Sequence, residues 1–502
     1  MTQTATPARS PDRAVEAGRG ALFIGAAKGF FMVSAFVQTW LLTKFVGSAE
    51  FGVFSVVTAA VSVLNNATVQ GTIQSVSKFT AEDDRQIDAV KAAGLRLQLV
   101  VGAILGLGFF VLAPVIATRA YAHPEFTRWF RMVAPIPFLY SLYSVFVGSA
   151  NGQRRFRVQA GFDMTFSSTK TLLLLGGAVA FGLAGAFAGF VVAAAFILVV
   201  SALVVKWPRL AGGPVFPMGR LVRFMVGIVI YTLLINLALN YDLLLLRRFA
   251  AGVADAVEAN KMAGHYQTVR YFALLPYQAL LIVTFVIFPL VSRSTFEQDR
   301  EVTRIYVTQT LRYALILSGA MAAVLAARPR GLLLIFYAPE YGVGATALPI
   351  LVAGIVCLGM LGVAGSIINA SGHQRVAGAL VATTVLVGGG AAFLIVPGRA
   401  PGAPMLNAAA LATALGMAAG FAAALVYLRQ RFAASPPLAS VLRVAAAAAL
   451  AIAVGRFLPG QGKIVALAAL AAAGLVFLGA LIALGEFGPQ DRAKFRKIIG
   501  RV

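Results

Sequence analysis

The chain has 502 residues, of which 60% are apolar and only 12% are charged. Soluble domains carry about 25% charged residues, so this composition excludes a soluble enzyme, a disordered scaffold and a nucleic-acid-binding module. A helix that spans a membrane needs about 20 largely apolar residues. The chain has enough of them for fourteen helices, and the sequence therefore predicts an all-α, multi-pass membrane protein.

Fourteen apolar stretches, bounded by charged residues or by Pro and Gly, are the candidate spans. They lie at 20–45, 51–77, 95–117, 132–150, 161–183, 185–205, 221–246, 271–292, 304–327, 345–370, 374–396, 405–428, 437–456 and 463–484. The first is too long for a cleavable signal, so we expect it to remain as a span. Only the glycine-rich GLAGAFAG separates the fifth from the sixth, so a count of fourteen requires a break there.

A basic, proline-rich segment at 206–220 interrupts the apolar pattern near the middle of the chain. Prolines and charges of this kind are typical of a linker. It separates an N-terminal lobe of six helices at 1–205 from a C-terminal lobe of six at 221–430. Two alanine-rich helices and a basic tail follow at 431–502.

A weak internal repeat supports two related halves. Leu42–Gly47 followed by Gly52–Phe54 resembles Leu246–Gly252 followed by Gly264–Tyr266. Six intervening helices would give both halves the same orientation, so the repeat would be parallel, about an axis along the membrane normal.

The net charge of +24 has an ordinary explanation in a membrane protein. With the amino terminus in the cytoplasm, loops on that side contain 26 Lys and Arg residues against 12 on the other. Basic loops are retained on the cytoplasmic side, so both termini are predicted to be cytoplasmic. An anionic substrate is a second explanation for part of the basic excess.

Polar side chains recur at helical spacing in four predicted spans. The sets are Ser55, Thr58, Ser62 and Asn66; Asp163, Ser167 and Lys170; Thr232, Asn236, Asn240 and then Asp242; and Arg270, Tyr277 and Thr284. Polar groups at membrane depth are expensive, so we expect these faces to turn toward the bundle interior or a wet cavity. Hydrogen bonds that merely hold the bundle together are the alternative.

These sets supply the candidate site residues of a basic, water-filled cavity between the lobes. Cations suit a phosphate or diphosphate, amides suit sugar hydroxyls, and a carboxylate in a low dielectric can take up H⁺ or Na⁺. The candidates are Lys28, Lys170 and Arg270 for the diphosphate, Asn66, Asn236 and Asn240 for sugars, and Asp163 or Asp242 for ion coupling.

Each ionisable candidate also has a purely structural alternative. Lys28 could extend its ammonium to the interface, and Lys170 could pair with Asp163. An interfacial salt bridge with Arg247 or Arg248 is the alternative for Asp242. Arg270 could be the boundary residue of its span.

Motifs for covalent chemistry are missing from the sequence. It contains no GxxxxGK[ST], HExxH or GxSxG, which excludes a P-loop and two hydrolase signatures. The acidic pair Asp83-Asp84 lies beside Arg85 in a predicted cytoplasmic loop and indicates a solvated turn rather than a metal site. The single Cys357 allows no intrachain disulfide. We expect no enzyme activity, no metal and no cofactor, with H⁺ or Na⁺ as the candidate coupling ion.

Several short segments along 20–430 carry a resemblance to a known family. They are Lys44–Gly47, Glu50–Phe54, Asp242–Leu246, Gly264–Tyr266, Phe288–Ser292, Ala338–Tyr341 with Ala345, and Asn369–Gly372. The first two are similar to the R-x-L-G…E-F-G-x-Y opening of the bacterial polysaccharide and O-antigen repeat-unit flippases (Wzx type). The next three are similar to that family's seventh and eighth helices.

This resemblance implies the multidrug/oligosaccharidyl-lipid/polysaccharide exporter superfamily, with two six-helix lobes in a V and two extra helices. It implies a flippase that moves a polyprenyl-diphosphate-linked oligosaccharide across the bacterial cytoplasmic (inner) membrane by alternating access. The implied partners are this glycan, membrane lipids and, by family analogy, glycosyltransferases, a polymerase and export machinery. No nucleic acid is expected.

Three alternatives stay open. Lipid II flippases of the same superfamily carry a basic–acidic pair in the first helix, where this chain has Gln38 and Thr39. A cation-coupled multidrug exporter would have an acidic and aromatic cavity, against the basic excess here. A membrane glycosyltransferase or polymerase would need a longer outer loop than 118–131 or 247–270.

Overall fold

The computed structural model describes the backbone of residues 11–488 and 491, apart from 122, 209–214, 282–299, 372 and 461. Side chains are described from residue 29 onward within those ranges, except at 32 and 84. Every regular element in this part is helical, and eleven of its helices are long and apolar enough to cross a membrane. The chain is thus an all-α polytopic membrane protein, as its composition predicts.

The α-helices are numbered here in chain order. They are α1 (Pro11–Glu82), α2 (Ile87–Val115), α3 (Phe126–Val133), α4 (Pro135–Gly152), α5 (Phe156–Val205), α6 (Met218–Ala250), α7 (Ala256–Ala273), α8 (Arg300–Ala327), α9 (Pro329–Phe336), α10 (Ala347–Ala370), α11 (Gln374–Ile395), α12 (Ala403–Phe432), α13 (Leu438–Phe457) and α14 (Lys463–Ala483). Short 3₁₀ helices cover Asp84–Gln86 and Pro339–Thr346.

Two very long helices each contain two predicted spans. α1 is interrupted at Gly47, with φ 76°, and α5 at Phe181 and Gly182, with φ 59° at the glycine. Glycine adopts positive φ without the steric penalty of a side chain, and both breaks coincide with predicted span boundaries. The eleven apolar helices therefore account for thirteen predicted spans. The remaining one, 271–292, is described only to residue 281.

Glycines also let the two arms of α5 approach each other closely. A Cβ atom added at Gly177 would lie 2.1 Å from the carbonyl oxygen of Gly185, and one at Gly189 would lie 2.1 Å from that of Leu173. Small residues that allow close backbone approach are a main source of helix association in membranes. GLAGAFAG therefore provides both the break and part of the packing surface.

Several helices are longer than the predicted spans. α2 begins at Ile87 rather than 95, the fourth span is preceded by α3, which begins at Phe126, and α6 runs from Met218 to Ala250 rather than 221–246. The apolar pattern reports only the part of a helix in hydrocarbon, whereas the hydrogen-bonded helix continues through polar residues at its ends.

The chain divides into two compact units. The first comprises Met1–Gly47 and Val57–Asn236, and the second comprises Ser48–Val56 and Leu237–Val502. The lobe boundaries at 205 and 221, the linker at 206–220 and the parallel repeat stay predictions.

In the second unit, α13 and α14 pack on α8 through small side chains. The shared core contains Ala323, Ala327, Ala447, Ala451 and Ala473, all fully buried, with Phe477 among them. One end of this three-helix group is closed by ion pairs: Arg312 Nε lies 2.6 Å from Glu486 Oε1, and Arg443 Nη1 lies 3.2 Å from Glu486 Oε2.

Candidate functional site

The second unit buries an ion pair between α6 and α7. Arg270 Nε lies 3.3 Å from Asp242 Oδ2, and the two side chains are only 6% and 3% exposed. The other Asp242 oxygen accepts the backbone N–H of Leu243 at 2.8 Å. Both charges of the pair are therefore compensated inside the protein.

The guanidinium of Arg270 donates to three further acceptors. Arg270 Nη1 donates to Gln267 Oε1 at 2.7 Å. Nη2 donates to the carbonyl oxygen of Leu239 and, at 3.4 Å, to Asn240 Oδ1. The structure thus brings together three predicted site residues, Asn240, Asp242 and Arg270. Gln267 also belongs to this group, but it was not a candidate because it lies in a predicted loop.

This geometry corrects one of the structural alternatives. Asp242 pairs with Arg270, which is 5% exposed, and not with Arg247 or Arg248. Arg248 is exposed, whereas Arg247 is fully buried and donates to Asn260 Oδ1 at 2.7 Å. The helix continues past the apolar stretch, which carries these arginines away from Asp242 along its axis.

Two of the predicted sugar-binding asparagines contact each other in the first unit. Asn66 Nδ2 donates to Asn236 Oδ1 at 2.8 Å, linking α1 to α6. Asn236 Nδ2 donates to the carbonyl oxygen of Thr232 at 2.8 Å. Asn236 is buried and Asn66 is exposed. The hydrogen bond therefore links an exposed amide on α1 to a buried amide on α6.

Lys170 lies on an aromatic group rather than beside a carboxylate. Its ammonium is 4.3 Å from the centre of the Phe190 ring, and Phe190 contacts Tyr140 at 6.4 Å between centroids. This cation–π contact joins the two arms of α5. Because α5 is broken at Phe181 and Gly182, Phe190 on its second arm contacts Lys170 on its first. Helical spacing cannot predict a contact between residues on opposite sides of a break.

Two predicted positions lie beyond the described part: the side chain of Lys28, and Thr284. The other candidates fall in three groups, which are Asn66 with Asn236, Asp163 with Lys170 on α5, and Asn240 with Asp242 and Arg270. That these groups line one cavity, and that they bind a diphosphate, sugars or a coupling ion, stays a prediction.

Segments that carry the family resemblance meet on α7. A Cβ atom added at Gly52 would lie 1.7 Å from the carbonyl oxygen of Asn260, and one at Gly264 would lie 2.4 Å from that of Ser48. Neither glycine can gain a side chain without separating the two backbones. The motif glycines are therefore packing residues.

A third motif segment contacts the same helix. The His265 ring packs edge-to-face on Tyr341, with centroids 5.0 Å apart, and both residues are buried. A Cβ atom at Gly344 would lie 2.6 Å from Val269 Cγ2. Among the described residues, no group of three or more His, Cys, Asp or Glu could hold a metal ion.

The long apolar helices of the described residues, with a buried Asp–Arg pair between α6 and α7, are features of a multi-pass membrane protein. The chain matches the family model described as "Polysaccharide biosynthesis protein" over residues 41–343. This match covers more than half of the chain, which therefore belongs to that family. A search of curated proteins found no match.

Solved structures share the fold. A lipid II flippase MurJ in an inward closed conformation has 13% identity and a TM-score of 0.76, over 93% of this chain and 99% of that chain. A multidrug resistance MATE family transporter of the MOP superfamily, inward-facing, has 14% identity and a TM-score of 0.64, over 80% and 94%. A MOP superfamily transporter from Pyrococcus furiosus has 14% identity and a TM-score of 0.62, over 82% and 95%.

These comparisons confirm the family resemblance and the fold class. The family description names polysaccharide biosynthesis, and the fold is shared with a lipid II flippase and with a MATE family transporter.

Proposed function

We propose that this protein moves a polyprenyl-diphosphate-linked oligosaccharide from the inner to the outer leaflet of the bacterial cytoplasmic membrane by alternating access. Membership of a polysaccharide biosynthesis family supports a glycan cargo, and likeness to a lipid II flippase supports a lipid-linked one. The observation that carries the proposal is the buried Asp242–Arg270 pair. A packing role does not require charge, and an ionisable pair buried inside a membrane protein marks a candidate functional site.

The pair offers a way to couple cargo to an ion. Guanidinium groups bind phosphate in bidentate geometry, so a diphosphate competes with Asp242 for Arg270. A carboxylate that loses its cation in a low dielectric favours protonation or Na⁺ binding. Binding of the diphosphate at Arg270 and uptake of an ion at Asp242 would then occur together, and return of the pair would release both.

The first unit supplies a second set of suitable groups. The Phe190 ring positions the ammonium of Lys170. A cation–π contact uses the charge of the ammonium and leaves its N–H donors to bind an anion. Tyr140 and Phe190 provide apolar ring faces, and exposed Asn66 provides an amide. We assign Lys170 to the diphosphate, Asn66 to a sugar and Asp163 to ion uptake.

A lipid II flippase is the second candidate within the same fold. That branch is distinguished by a basic–acidic pair in the first helix, whereas this chain has Gln38 and Thr39, 6% and 2% exposed. Thr39 Oγ1 donates to the carbonyl oxygen of Ala35 at 2.9 Å. Two neutral, buried side chains favour a different lipid-linked glycan, and the basic balance disfavours a multidrug exporter.

The proposed setting is the inner membrane, with both termini cytoplasmic. A flippase needs enzymes that assemble its cargo on one side and consume it on the other. Glycosyltransferases, a polymerase and export machinery are therefore the expected partners.

The decisive experiment is flipping of a fluorescent polyprenyl-diphosphate oligosaccharide in proteoliposomes. Arg270→Gln alone leaves Asp242 buried and unpaired, so the informative variant is Asp242→Asn/Arg270→Gln, which removes both charges together. We expect it to fold and to flip at least about tenfold more slowly, the effect of losing one charge-assisted contact of about 1.4 kcal/mol or more.

Arg304→Gln is the matched control, because Arg304 pairs with Glu301 on an exposed helix end. Unchanged flipping in the double variant would disprove the role of the pair. Flipping of lipid II at the rate of the lipid-linked oligosaccharide would favour the second candidate.

A further inference from the structure

Basic side chains lie on an aromatic platform where α1 ends and α6 begins, both within the first unit. Phe79 packs against Phe216 and Phe224, with centroids 5.1 and 5.8 Å apart. Lys78 Nζ lies 4.1 Å from the centre of the Phe224 ring, and Arg220 Cζ lies 4.9 Å from that of Phe79. Two cations from different helices are thus positioned by one group of rings.

Three basic side chains of this cluster are exposed, next to the acidic run Glu82-Asp83-Asp84 that ends α1 and follows it. Arg223 lies one turn after Arg220 on α6, and Lys78, Arg220 and Arg223 are all exposed. Glu82 Oε2 lies 2.8 Å from Arg220 Nη2. Because α6 begins at Met218, Arg220 lies in its first turn, near the positive end of the helix dipole, where an added cation is unfavourable. An anion placed here would relieve that repulsion.

An exposed tryptophan follows the end of another helix of the same unit. Trp207, between α5 and α6, is 62% exposed and packs edge-to-face on Phe146 at 5.4 Å. Exposed Trp residues at the ends of membrane helices are typical of the membrane–water interface. The predicted topology places the end of α1 and the start of α6 at the cytoplasmic interface, where phosphate groups of the bilayer are concentrated.

We propose that Lys78, Arg220 and Arg223 form a binding site for the phosphate headgroup of an anionic bilayer phospholipid. The rings restrict the cations, so little conformational freedom is lost on binding, and a phosphate accepts from Lys and Arg together. The predicted topology places this site in the cytoplasmic leaflet. The site does not depend on the proposed cargo, because its ligand is a phospholipid of the surrounding bilayer.

Native mass spectrometry of the full chain tests the site, with phosphatidylglycerol and phosphatidylcholine titrated onto delipidated protein. The test variant is Lys78→Gln/Arg220→Gln/Arg223→Gln. The control is Arg154→Gln/Arg155→Gln/Arg157→Gln, which removes the same charge from a loop predicted on the same side. A basic residue near an anionic surface contributes about fivefold in affinity, so we expect the test variant to bind phosphatidylglycerol at least about tenfold more weakly, with the control unchanged.

Equal losses in both variants would overturn the proposal, because they would show a general effect of net charge. So would equal affinity for phosphatidylcholine. Inorganic pyrophosphate distinguishes a lipid from a free phosphate: weak displacement at millimolar concentration supports a lipid site, and binding as tight as that of the lipid overturns it. A partly folded test variant is recognised by its thermal unfolding, and single Arg220→Gln, which keeps two cations, then repeats the test with about a fivefold expected loss.

Discussion

Asp242 and Arg270 stabilise each other in a place where neither would be tolerated alone. Each is almost fully buried, and all three nitrogens of the guanidinium contact an acceptor of α6 or α7. Burying a charge is acceptable only with such compensation. The pair therefore specifies how these two helices meet within the second unit.

We predict that Asp242→Asn destabilises the protein by about 3 kcal/mol, because it leaves Arg270 buried without its counter-charge. The double variant Asp242→Asn/Arg270→Gln should recover at least about half of that loss. Thermal unfolding in detergent, arranged as a double-mutant cycle, measures both values.

Glu301→Gln serves as the control for that cycle. Its ion pair with Arg304 is largely exposed, and exposed pairs contribute at most about 1 kcal/mol. Additive effects of the two buried substitutions would show that Asp242 and Arg270 do not interact.

At the scale of elements, α5 shows how two adjacent glycines can have different roles. A Cβ atom at Gly177 would lie 2.1 Å from the backbone of the opposite arm, whereas one at Gly176 would meet nothing within 4 Å. The first glycine permits helix contact, and the second is only a helix residue of low propensity.

We therefore predict opposite outcomes for two neighbouring substitutions. Gly177→Ala should destabilise the protein by about 2 kcal/mol or more, because the arms of α5 must separate. Gly176→Ala should be neutral or stabilising by up to about 1 kcal/mol, because alanine is the better helix former. Thermal unfolding of both variants checks this, and equal effects would contradict the packing of the two arms.

The ion pairs that close the group of α8, α13 and α14 are a second feature at this scale. Burial alone would raise the pKa of Glu486, but hydrogen bonds from Ser440, Arg312 and Arg443 outweigh it, so its pKa lies below the ordinary value of 4.5. Asp491 behaves in the same way, with burial outweighed by bonds from Tyr313 and Arg312.

A lowered pKa in the folded state has a defined consequence for stability. The contribution of Glu486 is fully present above its ordinary pKa of about 4.5 and is lost as the pH falls through the folded-state pKa. We expect the parent's Tm to fall between about pH 5 and pH 3 more steeply than that of Glu486→Gln. Glu258→Gln, whose pair with Lys261 is exposed, should retain the parent's slope. A parallel decline in all three would contradict this assignment.

For the whole molecule, the distribution of basic residues predicts the orientation in the membrane. The native chain has one cysteine, Cys357, so replacing it by Ala provides a background for new cysteines. Arg154→Cys should be protected in intact cells from a membrane-impermeant thiol reagent, and Glu258→Cys should be labelled. Permeabilised cells control for reactivity, and the reverse pattern would disprove the predicted topology.

The accuracy of the sequence predictions depended on how local each signal was. Breaks at Gly47 and Gly182 follow from residue type and the limited length of a span, and both were predicted. Arg270, the partner of Asp242, lies 28 positions further along the chain on another helix. Helical spacing identifies the residues on one face of a helix but not the helix that packs against that face. For the same reason, helical spacing did not indicate the contact of Lys170 with Phe190, which lies beyond the break in α5.

The membrane location, helical class and approximate spans were determined by the amino-acid sequence, because transfer of a side chain into hydrocarbon has a free energy that adds up residue by residue. Packing partners were decided only by the tertiary structure. Burial of Arg247, the contact of Gly52 with α7 and the neutralisation of Arg270 depend on which helix faces meet, and that choice is made by shape and charge across segments distant in the chain.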